Sequence, residues 1–428
     1  MSNRLSVAPS ARRLTNSLRD IGYSFESAVA DLVDNSVTAG ADSIEIDIHF
    51  LGRKSYITIV DNGFGMHEDQ INEAMRFGSR RTYEDGDLGR YGLGLKTASL
   101  SQVRRLEVVS RRNRLSSPVA RALDLDFIQA VDDWVTLDIS EEEDSVRTAE
   151  LLGESGGTAV VWRKLDRLLP AKSPEGGWAR RRIEGLSPKL VSDLSMVFHR
   201  FLSGEVVPKI EISVNGESIK PWDPFGRHET ATEVLDVDEF EIEHDEVSDT
   251  VILKRYLLPS REDFSSREAF EAASGPEKWN KQQGLYIYRA NRLVQWGGWA
   301  GIRTIDEHTK LARASLDFGT SLDEAFNINV AKMRVNLPSQ LRKMMARPVN
   351  ELCIAADAAY RRNNRRSEPA DPELPKRSFD LGAEESGAAI GLALRTAAAR
   401  TGNFEALEAI SSLIKSEMPD LAKHLGFD

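Results

Sequence analysis

The chain has 428 residues, enough for about three domains, and its 41 % hydrophobic and 29 % charged residues exclude collagen-like, coiled-coil and fully disordered proteins. The 56 basic and 67 acidic side chains leave a net charge of −11, which argues against a protein that coats nucleic acid but is compatible with a local basic groove. No apolar run has the about 20 residues that a membrane span needs, and the single cysteine, Cys353, excludes an internal disulfide, so we expect a cytoplasmic protein without membrane contact.

The first half of the chain predicts helices followed by strands. Apolar residues recur at helical spacing before Gly40, and β-branched residues alternate with polar ones after it. Helices are predicted over residues 11–22, 25–40 and 187–203, and strands over residues 43–50, 56–62, 104–111 and 157–164. A glycine-punctuated stretch separates the second of these strands from the third.

The second half of the chain differs in composition. Residues 229–249 are strongly acidic, which predicts a solvated face or loop. Residues 367–378 are polar and proline-rich, which predicts a linker. Strands are predicted over residues 210–216 and 327–338, a hairpin over 283–296, a helix from residue 339, and two short helices over 385–424.

Asp31 and Asn35 form the first of three motifs that carry chemistry. They are four residues apart on a predicted helix, so both side chains lie on one face. The amide oxygen of Asn35 suits Mg²⁺, a hard cation that prefers oxygen ligands. The carboxylate of Asp31 can orient and deprotonate a water molecule. By itself, such a pair is more often an ordinary exposed helix face.

The second motif, DNGFGM at residues 61–66, directly follows a predicted strand. A carboxylate at Asp61 can accept a hydrogen bond from an exocyclic amine such as that of adenine. Gly63 and Gly65 allow a tight turn and the close approach of a ligand. The same pattern also occurs in simple turns.

The third motif, GRYGLGLKT at residues 89–97, precedes a helix-like segment. A glycine-rich turn at a helix N-terminus presents backbone N–H groups to phosphates. The motif is not a Walker A loop, because Leu95 separates Gly94 from Lys96. Its glycines also lack the dinucleotide-binding context.

In this order and spacing, the three motifs resemble the GHKL superfamily, whose ATP-binding domain is shared by DNA gyrase B, the ninety-kilodalton heat-shock chaperone, histidine kinases and MutL. The resemblance implies ATP and Mg²⁺ as ligands, with an N box at 31–35, an adenine box at 61–65 and a phosphate-lid box at 89–97. It also matches Thr158 to a family threonine near adenine. The site residues that it implies are Asp31 as catalytic base, Asn35 as magnesium ligand, and Asp61, Gly63, Gly65, Met66, Gly89, Tyr91, Gly92, Leu93, Gly94, Leu95, Lys96 and Thr158 as nucleotide contacts.

The sequence departs from the family at the catalytic base. Members that hydrolyse ATP usually carry glutamate there, and Asp31 is shorter by one methylene. Either hydrolysis is slow or the site only binds nucleotide, and we favour slow hydrolysis.

The segment GLYIYRANRLVQWGGW, residues 284–299, resembles the transducer domain of gyrase, MutL and MORC proteins. In those proteins a lysine of this domain reaches the γ-phosphate, and Lys332 is the matching candidate for a second catalytic residue. An exposed strand lysine is the other interpretation. PWDPF, residues 221–225, is similar to MORC-type proteins, including bacterial ones.

The expected fold class is therefore α+β. It comprises a Bergerat-type ATP-binding sandwich with helices on a mixed sheet, a transducer-like α/β domain and a short helical C-terminus. The predicted divisions are an ATP-binding domain over 1–204, the transducer-like domain over 205–345, a basic helix over 346–366, a linker over 367–384 and the helical segment over 385–428.

The leading functional hypothesis is an ATPase that works as a conformational switch. It binds Mg-ATP, forms a homodimer through its N-terminal domains, with helix 11–22 contributing, and slowly hydrolyses ATP. The resemblance to bacterial MORC-type proteins suggests that it clamps or remodels DNA in restriction or phage defence, alongside a protein partner such as a nuclease. The basic bias of residues 339–366 marks either a DNA-facing surface or a solvated helix.

The alternative hypothesis is a chaperone-like or scaffold module that acts on a protein partner with little or no hydrolysis. The acidic segment and the C-terminal helices would be its docking surfaces.

Overall fold

The computed structural model describes residues 9–78, 94–244, 247–328, 335–367, 390–391, 394–398, 403–425 and 427. The chain forms two compact units, Met1–Asn364 and Arg365–Asp428. The larger unit contains two β-sheets, and the described part of the smaller unit is helical.

The first sheet has eight strands in the order β5-β4-β3-β6-β2-β1-β7-β8. The strands are β1 Ser43–His49, β2 Tyr56–Asp61, β3 Arg105–Arg111, β4 Val119–Asp124, β5 Leu137–Asp138, β6 Gly157–Arg163, β7 Glu211–Val214 and β8 Glu217–Ser218. Neighbouring strands are antiparallel, except that β7 runs parallel to β1. The sheet is therefore mixed, and it continues to residue 218, beyond the boundary that the sequence predicts at 204/205.

Nine helices belong to the same part of the described chain. They are α1 Ala11–Arg19, α2 Phe25–Thr38, α3 Glu68–Met75, α4 Gly94–Gln102, α5 Leu125–Val131, α6 Glu143–Glu150, α7 Gly177–Glu184, α8 Leu186–Val197 and α9 His199–Ser203. The main core lies between these helices and the sheet, and a smaller apolar cluster includes residues of α6 and of β3, β4 and β6.

Helix α2 carries the first motif, and the sequence of the helix explains where it begins and which side packs against the core. The Ser24 hydroxyl accepts a hydrogen bond from the Ser27 N–H and so caps the N-terminus. Val29, Leu32 and Val33 are fully or almost fully buried, which anchors the helix in the core. The polar residues of the motif are therefore held on a rigid element.

The second sheet has the strand order β10-β11-β14-β12-β13, and β9 pairs with β11. Its strands are β9 Glu233–Val234, β10 Asp238–His244, β11 Val247–Leu257, β12 Gly284–Arg289, β13 Arg292–Trp296 and β14 Ala312–Phe318. The accompanying helices are α10 Arg267–Ala273, α11 Lys278–Gln282 and α12 Ser339–Ser367, with 3-10 turns at Glu307–Thr309 and Thr320–Leu322. Leu341, Met345 and Val349 of α12 are fully buried in the core of this sheet.

The predicted α+β class is confirmed, with helices on mixed sheets and two short helices, α13 Phe404–Glu417 and α14 Pro419–His424, near the C-terminus. The hairpin predicted over 283–296 is present as β12 and β13. Half of the strand predicted over 327–338, residues 329–334, lies outside the described residues, and the described residues 327–328 and 335–338 are not in a strand. Within the described part of the chain, no helix is both long enough and apolar enough to cross a bilayer.

The acidic segment presents a solvated face over residues 238–244, as predicted, but this face belongs to a strand and not to a loop. Residues 238–244 form β10, an edge strand paired with β11. Ile242 points inward and is buried, whereas Glu241 and Glu243 are exposed. Successive side chains of a strand point to opposite faces, and these charged side chains of β10 are on the outward face. Charged side chains on an edge strand oppose pairing with strands of other chains.

Candidate active site

Asp31 lies on the buried side of α2, with 2 % of its surface exposed. Its Oδ2 accepts a hydrogen bond of 2.7 Å from the Tyr23 hydroxyl. Burial, reinforced by the Asp31 carboxylate, raises the pKa of Tyr23, so this hydroxyl stays a donor. A Cβ placed on Gly94, the first residue of α4, would lie 3.7 Å from the same Oδ2. The structure therefore brings the first motif and the end of the third together.

Asn35 lies one helical turn after Asp31 and is exposed. An exposed amide oxygen on a rigid helix is a suitable single protein ligand for Mg²⁺, which usually keeps several waters and phosphate oxygens as its other ligands. The described residues contain no group of three or more His, Cys, Asp or Glu side chains that could hold a metal ion. This donor set fits a magnesium ion carried in with a nucleotide better than an all-protein metal site.

Asp61 ends β2, and its carboxylate is held by two short contacts. Oδ2 accepts a hydrogen bond of 2.9 Å from the Ser36 hydroxyl of α2, and Oδ1 accepts one of 3.0 Å from the Gly63 N–H. Burial raises the pKa of Asp61, and these hydrogen bonds act in the opposite direction. The orientation of the carboxylate is thus fixed by the helix and by its own turn.

Thr158 lies opposite Asp61 in the antiparallel pair of β2 and β6. Its Oγ1 is 2.9 Å from the Ser110 hydroxyl of β3. That hydroxyl also accepts a hydrogen bond of 2.8 Å from the Met66 N–H. The sheet therefore brings together the side chains of Asp61 and Thr158 and the backbone of the second motif.

Gly65 shows why the second motif needs glycine. Its φ of +60° lies in the left-handed region, and a Cβ there would be 2.1 Å from the carbonyl oxygen of Arg111. Gly63 is also crowded, since its Cβ would lie 2.7 Å from the carbonyl oxygen of Ala39. Any larger residue at Gly65 would push the turn away from the strand ends.

The third motif is described only from Gly94 onward. Gly89, Tyr91, Gly92 and Leu93 lie outside the described residues, and so does Lys332. The Lys96 side chain is buried and its Nζ donates a hydrogen bond of 2.7 Å to the carbonyl oxygen of Ala74 at the end of α3. Burial lowers the pKa of Lys96 to about 8. In this arrangement Lys96 ties α4 to α3, and its phosphate contact stays a prediction.

Four residues of the site were not found from the sequence. Asp34 lies within the first motif, Ser36 follows it directly, and Tyr23 lies just before helix α2. The position of these three residues next to the motif was a weak signal in the sequence. Arg292 had no local signal in the sequence, because it belongs to the second sheet and is far from the first motif along the chain. Its Nε lies 3.2 Å from the Asp34 carboxylate of α2.

The fold and this site resemble the ATP-binding domain of the GHKL type. Residues 23–158 match the family model of histidine kinase-, DNA gyrase B- and HSP90-like ATPases. The resemblance drawn from the three motifs is therefore confirmed over residues 23–158, which are similar to the ATPase domain of this superfamily.

Parts of the chain are similar in sequence to individual MORC and MutL proteins. It is 33 % identical to the ATPase morc-1 of Caenorhabditis elegans over 89 residues, which is 20 % of this chain and 10 % of that protein. It is 36 % identical to the mouse ATPase MORC2B over 80 residues, 17 % of this chain and 8 % of that protein. It is 42 % identical to the DNA mismatch repair protein MutL of Aeromonas hydrophila over 90 residues, 20 % of this chain and 14 % of that protein. The matches thus span at most 14 % of the length of these three relatives.

Proposed function

We propose that this protein is an ATP-dependent conformational switch that binds Mg-ATP and hydrolyses it slowly. The observation that carries the proposal is that four elements bring the residues of the three motifs together at one site. The Asp61–Thr158 pair of β2 and β6 lies beside α2, which carries Asp31 and Asn35, and the N-terminus of α4 faces Asp31.

Each side chain of this site has a distinct role in the proposal. Asp61 accepts a hydrogen bond from the adenine amine, and Asn35 donates its amide oxygen to Mg²⁺. Asp31 orients a water molecule and takes its proton. When bound, Mg²⁺ supplies charge neutralisation for the phosphates.

Two features of Asp31 support slow hydrolysis. Its side chain is one methylene shorter than the glutamate usual in the superfamily, which draws the carboxylate back toward the α2 backbone. The Tyr23 hydroxyl donates a hydrogen bond to Oδ2 of that carboxylate, which occupies a lone pair that could otherwise hold the attacking water molecule.

Magnesium-dependent nucleotide binding tests the switch at its first step. We expect the affinity for ATP to depend on Mg²⁺ in the wild type and to lose that dependence in Asn35→Ala. The matched control is Glu45→Gln, an exposed side chain of β1 in the same sheet, which should bind as the wild type does. Equal magnesium dependence in Asn35→Ala and the wild type would refute the assignment of Asn35.

We extend the proposal to the second sheet as a transducer-like domain whose Lys332 reaches the γ-phosphate. Because the last strand of the first sheet ends at Ser218, we propose that the transducer-like domain begins after this residue. Lys332→Ala should keep ATP affinity and lower turnover, because a cation near the leaving phosphate stabilises developing charge. Unchanged turnover would remove Lys332 from the mechanism.

DNA is the proposed partner of the switch. The name of the MutL relatives refers to DNA mismatch repair, and this chain has an exposed basic surface at α7. We define the α7 surface as Arg53, Lys54, Trp178 and Arg180 to Arg182, all exposed. The Arg180 guanidinium lies 5.3 Å from the Phe50 ring and Arg53 pairs with Glu175, which joins the turn after β1 to α7.

Aromatic and basic residues together favour a nucleic-acid partner for the α7 surface. Trp178 is 55 % exposed, with the Arg182 guanidinium 5.5 Å from its ring. Arginine side chains bind the phosphates of a duplex, and an exposed indole can stack on bases wherever the strands are unpaired. Stimulation of ATP turnover by double-stranded DNA would support this partner. Stimulation by a protein client and not by DNA would support the chaperone-like alternative.

ATP-driven dimerisation through α1 completes the proposal. Ser10, before α1, and the Arg12 N–H both contact Asp132, so α1 is held against the ATPase domain. Leu14 and Ile21 nevertheless remain 38 % exposed, which offers apolar surface to a second copy. Sedimentation with a non-hydrolysable ATP analogue should show a dimer that Leu14→Ser weakens. A monomer under these conditions would refute this part.

A further inference from the structure

Arg292 is the first residue of β13, and it reaches from the second sheet to the helix that carries the first motif. The hairpin between β12 and β13 turns through Ala290 and Asn291, which have φ values of 45° and 67°. The Arg292 Nε lies 3.2 Å from each carboxylate oxygen of Asp34, and its Nη2 lies 3.9 Å from Oδ1 of Asp31. One guanidinium therefore lies beside two carboxylates of α2.

The surroundings of Arg292 keep it charged and fixed. Its side chain is 5 % exposed, and its guanidinium lies 5.9 Å from the Phe198 ring. Burial lowers the pKa of Arg292, but the carboxylates of Asp34, Asp31 and Asp193 outweigh burial and raise it. Because a buried carboxylate without its cation is strongly destabilising, the hairpin and α2 are held together at this point.

Asp31 is restrained from two sides. The Tyr23 hydroxyl donates to Oδ2, and the Arg292 guanidinium lies near Oδ1. Two restraints on the two oxygens fix the plane of the carboxylate, whose Oδ2 faces the start of α4 at Gly94. For a base that must align a water molecule, a small misplacement is costly in rate.

We propose that Arg292 is a positioning residue through which the second sheet controls the orientation of the Asp31 carboxylate. A displacement of the β12–β13 hairpin relative to α2 separates the guanidinium from Asp31 and Asp34 and releases the base. β12 lies between β13 and β14, so a movement of the second sheet is transmitted to the hairpin. This inference rests on the proposed role of Asp31 in ATP hydrolysis.

The test removes the Arg292–Asp34 ion pair without leaving an unpaired charge at Asp34. In Arg292→Gln combined with Asp34→Asn, ATP affinity and KM should stay within about threefold of the wild type, whereas kcat should fall about 10- to 100-fold. The matched control is Arg255→Gln combined with Asp238→Asn. This pair, 3.0 Å apart, joins β11 to β10 within the second sheet, and its removal should leave kcat unchanged.

Arg292→Lys keeps the charge but replaces the broad guanidinium by a point charge, so its kcat should lie between those of the double variant and the wild type. If circular dichroism shows that the double variant does not fold, Arg292→Lys alone tests the proposal. A wild-type kcat in Arg292→Lys would then overturn the proposal.

Amide hydrogen exchange gives a readout that does not depend on turnover. Adding Mg-ADP to the wild type should slow exchange in both α2 and β13, and in the double variant the response of α2 should remain while that of β13 disappears. A double variant with the kcat and the β13 response of the wild type overturns the positioning role alone. A wild type that binds no nucleotide overturns the proposed function and this inference together.

Discussion

Asp61 and Thr158 face each other across the antiparallel strands β2 and β6, and backbone pairing fixes the distance between them. Ser36 and the Gly63 N–H orient the Asp61 carboxylate, and Ser110 contacts Thr158. The adenine end of the proposed site is therefore built by the sheet and by the turn that directly follows β2. Recognition of the base should consequently survive changes in the region of the phosphate lid.

Asp61→Ala should lower the affinity for ADP by about 10- to 100-fold, because hydrogen bonds to charged groups contribute about 1.5–3 kcal/mol. Asp47→Ala on the neighbouring strand β1 is the control and should bind ADP as the wild type does. Isothermal titration measures both variants. Unchanged affinity in Asp61→Ala would exclude this carboxylate from base recognition.

Gly65→Ala should destabilise the fold more than an alanine at a glycine with similar φ and free space. Gly216, with φ of +81° and no atom within 4 Å of its Cβ position, measures the backbone strain alone, about 1–2 kcal/mol. At Gly65 the contact of 2.1 Å with the Arg111 carbonyl oxygen is added. Urea denaturation of both variants makes the comparison, and equal losses of stability would show that the turn adapts to the side chain.

His199 should make the protein less stable in acid. Its Nε2 lies 2.7 Å from the Tyr288 hydroxyl, and burial lowers the pKa of His199 to about 4. Between about pH 4 and the ordinary value near 6.5, the unfolded chain binds the proton that the folded chain rejects, so stability rises with pH by up to about 1.4 kcal/mol per unit. In His199→Gln this contribution should disappear from urea midpoints measured between pH 5 and 7.

Asp193 should change the pH dependence of stability in the direction opposite to that of His199. Burial raises the pKa of Asp193 to about 6, so between about pH 4 and 6 the folded chain binds the extra proton and stability falls as pH rises. The acid loss of stability due to His199 should therefore be steeper in Asp193→Asn than in the wild type. Identical pH profiles for the wild type and His199→Gln would contradict the assignment of a neutral buried His199.

The α7 surface should account for most of the DNA affinity. Replacing Arg180, Arg181 and Arg182 by glutamine should weaken binding and reduce the slope of log K against log salt by about 0.9 for each phosphate that is no longer neutralised. Arg361→Gln with Arg362→Gln on α12 tests the other basic segment, in which Arg361 already pairs with Asp357. If the α12 variant loses more DNA affinity than the α7 variant, the DNA-binding surface is at α12 and not at α7.

The sequence predicted the local parts of this molecule better than the distant ones. Helix α2, strands β1 and β2 and the glycine turn after Asp61 follow from short-range patterns and from the three motifs. The pairing of Asp61 with Thr158 was available only through the family resemblance, because strand order across a sheet is not a local property.

Other features had no signal in the sequence. β10 was hidden because its inward Ile242 stands among charges that dominate the composition of 229–249. Arg292 and Asp34 meet through tertiary packing of two sheets, which no spacing along the chain encodes. The strand predicted over 210–216 is present as β7, but its place beside β1 in the first sheet escaped prediction, because three consecutive helices precede it and strand order is not a local property.

The rate of ATP hydrolysis in the wild type and in Asp31→Asn, at saturating Mg-ATP and with Glu45→Gln as control, tests the central claim most directly. We expect slow turnover in the wild type and in Glu45→Gln, and at least about a 100-fold decrease in Asp31→Asn at nearly unchanged ATP affinity, the range typical of removing a general base. Equal rates in Asp31→Asn and the wild type would contradict the account.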